Sequence, residues 1–227
     1  MEQLLELSNA SNLASHIAAE IRALPVRNTA MARAVRRQYS GKLKQADPGF
    51  ILNLAQELIE THDQRWLAYE FIRNHQATFQ NIGQAELEEL GQGINSWDTV
   101  DAFARILAGP AWLNGQVADE VIHQWANSHD LWQRRAALVS TVALNMRSQG
   151  GPGDVTRTLA VCRLLVHDYE DMIVKAMSWA LRELVVHDPE AVAEFLREHE
   201  AELSARVKRE VRNKLTTGLK NPTMKTG

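Results

Sequence analysis

His129-Asp130-Leu131-Trp132-Gln133-Arg134-Arg135-Ala136-Ala137 reads as the opening of a helix. Asp130 is a residue type whose side-chain oxygen accepts from the free amides of a first helical turn. The small Ala136 lets a neighbouring helix pack closely. The arrangement recurs, with His62-Asp63 ahead of Arg65-Trp66-Leu67-Ala68 and His167-Asp168 ahead of Val174-Lys175-Ala176, so that an aspartate is placed to cap each helix. Ala68, Ala136 and Ala176 lie 68 and 40 residues apart. Those spacings suit units of about 34 to 47 residues, the span of helix-pair repeats. Such units stack into a solenoid, and equivalent positions in successive units then line one concave surface. The expectation is an all-α helical-repeat fold in which residues distant in sequence converge on a groove.

Working outward, the helical period continues through most of the chain. Phe50, Ile51, Leu54, Leu58 and Ile59 keep it, as do Val174, Met177, Ala180, Leu181 and Leu184. No alternating strand pattern and no Asn-Gly or Asp-Gly hairpin signal interrupts it. Breaks fall at Pro25, Gly41, Asp47-Pro48, Gly83, Gly91 to Gly93, Gly109-Pro110, Gly150 to Gly153 and Asp188-Pro189. They divide the chain into roughly eleven or twelve helices. The reading is one domain over residues 1–220, with 221–227 as a frayed tail.

Composition narrows the setting. A 227-residue chain with 45% hydrophobic and 23% charged residues can bury a sizeable core. The single cysteine, Cys162, excludes an internal disulfide framework and fits a reducing compartment. Residues 1–6 lack the basic and long apolar regions of a secretory leader, and no run approaches the roughly 18 apolar residues of a membrane span. A cytoplasmic protein that does not engage membranes is expected. The net charge of −3 argues mildly against a polyanionic partner, but the charge is segregated. Acid gathers at Glu86 to Glu89 and Glu190 to Glu202. Base gathers at Arg33, Arg36, Arg37, Lys42 and Lys44, and again at Arg206, Lys208, Arg209, Arg212, Lys214 and Lys220.

The chemistry-bearing stretch is Ile94-Asn95-Ser96-Trp97-Asp98-Thr99-Val100-Asp101. In a helix, Trp97 and Asp101 share a face, with Ser96 or Asn95 available as N-cap. Asp101 has an ordinary alternative, an i+4 pair with Arg105. Asp98 reads as a first-turn acid favoured by the helix dipole. Arg134 and Arg135, adjacent on a helix, point about 100° apart and cannot face one site together. Trp66, Trp112 and Trp125 read as core anchors. Cys162 reads as an inert buried thiol. The eight histidines show no metal-ligand spacing, and His62, His129, His167 and His187 fall in turns between helices.

Three motifs together resemble a known family, the AlkD-like HEAT-repeat DNA alkylation repair proteins. They are Ser96-Trp97-Asp98-Thr99-Val100-Asp101, Trp132-Gln133-Arg134-Arg135-Ala136-Ala137 and Lys175-Ala176-Met177-Ser178-Trp179-Ala180-Leu181-Arg182-Glu183. Their order and spacing agree from about residue 50 to 215, and the first fifty residues agree poorly. The resemblance implies a HEAT-like solenoid with a concave basic groove and a glycosylase acting on N3- or N7-alkylated purines. It implies Asp101 as the catalytic carboxylate, Trp97 and Trp179 against the cationic nucleotide, and Arg135 on a phosphate. Arg134, Lys175, Lys208, Arg212 and Lys214 are candidate contacts to the DNA backbone. Double-stranded DNA containing alkylated bases is the implied partner, with no metal or other cofactor and a monomeric enzyme. Two further readings remain: a non-catalytic solenoid that binds distorted or branched DNA, and a protein-interaction scaffold.

Overall fold

The computed structural model describes residues 9–26 and 28–222. The frayed-tail reading therefore lies outside the described residues from Thr223 onward, as does the leader reading at residues 1–6. Among the described residues the regular structure is helical and no strand is present. Helix packing divides the expected 1–220 domain into two compact units, one ending at Gln92 and one beginning at Gly93.

The first unit contains α1 (Ala10–Arg22), α2 (Thr29–Lys42), α3 (Pro48–Glu60), α4 (Arg65–Asn74), α5 (Gln76–Gln80) and α6 (Gln84–Leu90). Asp47 caps α3 by accepting from Gly49 and Phe50, and Pro48 occupies the first turn, where its missing amide costs nothing. α3 packs between α1 and α4, burying Leu13, Ile17, Ile51, Leu54, Leu58, Leu67 and Ile72. Glu70 of α4 is also buried, held by Arg33 at 2.7 Å and Arg36 at 3.2 Å from α2. Part of the amino-terminal basic cluster therefore neutralises an internal carboxylate.

The second unit begins with α7 (Trp97–Phe103), a π-helical turn (Ala104–Ala108) and α8 (Gly109–Leu113). It continues through α9 (Asp119–Ala126), α10 (Leu131–Asn145), α11 (Val155–Leu164), α12 (Asp171–Leu184), α13 (Pro189–Glu198) and α14 (Ala205–Thr217). Within this unit α7, α10, α12 and α14 pack side by side in that order. α9 and α11 lie behind α10, and α13 lies against α12 and α14. Alternate helices thus form one layer, as stacked helix pairs require.

The aspartate motif proves less uniform than its sequence. Asp130 caps α10, accepting from the amides of Trp132 at 2.7 Å and Gln133 at 2.8 Å. Asp63 instead turns the chain with φ of 52°, and α4 starts after Gln64. Asp168, three residues before α12 begins, accepts from the Glu170 amide. Short polar side chains stabilise local turns as readily as helix starts, which is why one motif serves three geometries.

Gly109-Pro110, read as a break, does not end its helix. Pro110 cannot donate to a carbonyl of the preceding turn, and its ring crowds the carbonyl four residues back. The helix widens instead, and the Gly109 amide reaches the Ala104 carbonyl. Gly109 also marks a close helix crossing, where an added Cβ would sit 2.6 Å from the Ala143 Cβ and 2.7 Å from the Ser140 carbonyl oxygen. Gly109→Val should destabilise the protein by about 2 kcal/mol through overpacking, read as a lowered urea midpoint with an unchanged slope.

A second buried carboxylate closes the carboxy-terminal end. Glu210 of α14 is 3% exposed and accepts from the Ser178 hydroxyl at 2.6 Å and Arg206 Nε at 3.0 Å, with Lys220 Nζ at 3.4 Å. Burial alone would raise its pKa, but the Ser178 hydrogen bond, Arg206 and Lys220 together hold it below the usual carboxylate value. A depressed folded pKa contributes stability that is present at neutral pH and lost as pH falls through that value. Glu210→Gln should cost about 2 kcal/mol at pH 7. The difference from the parent should shrink in thermal unfolding on acidification below about pH 4, because the parent then loses the same charge.

Candidate functional site

α7, α10, α12 and α14 carry the candidate site residues singled out by sequence. Trp97 is the first residue of α7 and is 58% exposed, unusual for so large an apolar ring. Ser96 precedes it at the cap position with its hydroxyl 2.7 Å from that of Thr99, so it holds the turn without capping an amide. Asp101 lies one turn further along the same face. Trp112 and Trp125 are buried as core anchors, whereas Trp66 is half-buried. Cys162 is fully buried, and burial pushes its thiol up to about 12, consistent with an inert group.

Asp101 pairs with Arg135, not with Arg105. Arg135 Nε lies 2.8 Å from Asp101 Oδ1 and Nη2 lies 2.9 Å from Oδ2, a two-pronged fit of guanidinium to carboxylate. The third nitrogen, Nη1, donates to the Met172 carbonyl at 2.5 Å. The Arg135 side chain is 6% exposed and the Asp101 side chain 15%. Every nitrogen of the arginine is thereby engaged inside the protein. The fork expected to hold a phosphate is closed on the carboxylate expected to do the chemistry. Two of the roughly four lone-pair positions of Asp101 are occupied by Arg135, and the carboxylate keeps acceptor capacity on its exposed side.

Arg105 lies within the π turn and makes a different contact. Its guanidinium carbon sits 5.3 Å from the centre of the Trp179 ring, and Nη2 sits 3.8 Å from the Met146 sulfur. Its Nε is buried without a hydrogen-bond partner. Trp179, half-buried on α12, has its indole nitrogen donating to Glu183 Oε1 at 3.0 Å. One edge and one face of that ring are thus occupied. Sequence reasoning did not foresee the contact of Arg105 with Trp179. The available signal was Pro110, whose ring widens the helix at Arg105.

The proposed backbone contacts are also engaged. Arg134 Nε meets Asp168 at 2.7 Å, and Nη1 donates to the carbonyls of Ser128 at 3.0 Å and His129 at 2.9 Å. Lys175 pairs with Asp171 at 2.5 Å, and this hydrogen bond, with the nearby Arg206, lowers the Asp171 pKa. Lys208 and Arg212 both reach Glu200, Lys208 at 3.5 Å. Lys214 donates to the Gly218 carbonyl at 2.9 Å. Among the described residues no group of three or more His, Cys, Asp or Glu side chains is placed to hold a metal ion. None of the helices described is long and apolar enough to cross a membrane.

This second unit holds an acid fixed by a buried arginine, an exposed tryptophan one turn away, and a further tryptophan stacked on an arginine. Compared with known families, the chain matches the profile of the DNA alkylation repair enzymes over residues 1–215. It belongs to that family. Membership makes it an enzyme of DNA alkylation repair with DNA as its partner. Searches among curated proteins and solved structures returned no significant match.

The fork should couple its two halves. Arg135→Ala is expected to cost about 3 kcal/mol, because it strands a largely buried carboxylate. In a double-mutant cycle with Asp101→Ala, the coupling energy from urea unfolding should be about 2 kcal/mol, far above that of an exposed pair.

Proposed function

We propose that the protein is a DNA glycosylase that removes cationic N3- or N7-alkylated purines from duplex DNA by metal-free hydrolysis. The carrying observation is the Asp101 carboxylate, clamped by Arg135 and one helical turn from the exposed Trp97. Alkylation at N3 or N7 puts a positive charge on the purine, so the base departs as a neutral molecule when the glycosidic electron pair moves onto it. Positive charge then builds on the deoxyribose. A fixed carboxylate stabilises that charge more than it stabilises the ground state, which is the condition for catalysis. Water adds its oxygen to the sugar carbon and releases a proton, leaving an abasic site and the free base.

The roles divide accordingly. Asp101 is the catalytic residue, able to stabilise the developing charge and to accept a hydrogen bond from the attacking water. Arg135 is a positioning residue that acts through Asp101, since its own donors are already engaged. Trp97 offers an open aromatic face to a cationic base, and Trp179 offers the side not covered by Arg105. Lys175, Lys208, Arg212 and Lys214 are proposed to meet flanking phosphates by exchanging surface partners, and Arg134 to hold the α10–α12 geometry around them. Exposed ion pairs are weak, so replacing their carboxylates by DNA phosphates costs little.

The test is base release from a duplex containing N7-methylguanine or N3-methyladenine, with chelator present. Asp101→Asn should lower the single-turnover rate about 100-fold or more while leaving duplex affinity within about twofold. Tight, salt-sensitive binding without release by the parent protein would support a non-catalytic DNA binder. Absence of both activities would support a scaffold.

A further inference from the structure

We propose that Arg105 is a phosphate-binding residue, seating a backbone phosphate next to the nucleotide that meets Trp179. The inference rests on the DNA-binding reading above and adds a residue to it. Arg134, Arg135, Lys175, Lys208 and Arg212 each face a carboxylate, and Lys214 donates to a backbone carbonyl. Arg105 does neither. Its contacts are the face of Trp179 and the Met146 sulfur, and its buried Nε has no acceptor.

A half-buried guanidinium with no counter-charge is unfavourable unless something supplies one. The geometry leaves room for that supply. Arginine stacks through its flat face while its N–H donors point outward in the plane, so one residue can lie on an indole and bind a phosphate edge-on. Trp179 and Met146 hold the side chain through soft contacts that a phosphate does not have to displace. The π turn that carries Arg105 follows directly on the helix that carries Asp101, which puts the cation and the carboxylate on one continuous helical run. Arg147, exposed and next in sequence to Met146, adds a second cation without a carboxylate partner beside it.

The assignment also separates two duties. Asp101 silences Arg135, so phosphate attraction at the site falls to a different cation, one helical turn beyond the carboxylate. Trp179 then has one face committed to Arg105 and one left for the nucleotide. A phosphate on Arg105 would fix the register of that nucleotide.

The experiment measures binding of a duplex carrying a tetrahydrofuran abasic analogue by fluorescence anisotropy across a range of salt. The parent is compared with Arg105→Met and Arg105→Gln. Methionine can fill the space against Trp179 and Met146 without charge, which guards against a folding defect. Loss of one phosphate contact should weaken binding about tenfold and reduce the slope of log K against log salt by about 0.9. Arg105→Lys should keep the slope and recover part of the affinity. A purely structural role would leave the slope unchanged, and an unchanged slope with unchanged affinity in Arg105→Met overturns the proposal. If the parent binds this duplex and releases base from the alkylated duplex, while Arg105→Met matches its binding and salt slope, only this inference fails. If the parent does not bind the duplex, the glycosylase reading and this inference fall together.

Discussion

A deeply buried arginine is best satisfied by a carboxylate beside it, and such pairs tie together the helices of this chain. Asp101 and Arg135, Arg134 and Asp168, and Arg36 and Glu70 each pair across 34 residues. That interval is the length of one helix pair, so each tie joins a helix to the next helix of the same layer or to the turn that leads into it. Apolar packing supplies most of the stability, but it is non-directional. The paired charges add direction. A guanidinium fork accepts its carboxylate in only a narrow range of orientations, and so sets how adjacent helices align.

The same rule accounts for the charge balance. A chain of net charge −3 with a DNA partner has few cations to spare, and many of its arginines are spent on internal ties. Counting basic residues overstates the attraction available to a polyanion. What matters is which cations have no internal acceptor, and that is decided by packing. The Arg206, Lys208 and Arg212 cluster illustrates this, because Asp171, Glu210 and Glu200 meet it.

Much of the architecture was legible in the residues. Apolar spacing announced the helices, Asp130 announced its cap, and the spaced alanines announced the repeat. The site was legible in part. Trp97 and Asp101 share a face because of helical geometry alone, and Trp112, Trp125 and Cys162 occupy the core as their chemistry suggests. Partner choice was not legible. Arg105 lies four residues from Asp101 and Arg135 lies 34 away, yet the distant residue forms the pair. A local rule favoured the near one. Depth decided for the other, since α10 brings a guanidinium that is 6% exposed and whose three nitrogens all need acceptors inside the protein. Gly109-Pro110 misled for a related reason: a proline ends most helices, but here the turn widened and the helix continued into a crossing close enough to require glycine.

The 34-residue ties also act as a ruler on the chain. One residue added within a helix turns everything beyond it by about 100°, which would swing a fork away from its carboxylate. Between Asp101 and Arg135, length can change only where no helix is rotated, in the turns at 114–118 and 127–130. Insertions and deletions among relatives should therefore collect at those two turns, and the helices between them should keep a constant residue count.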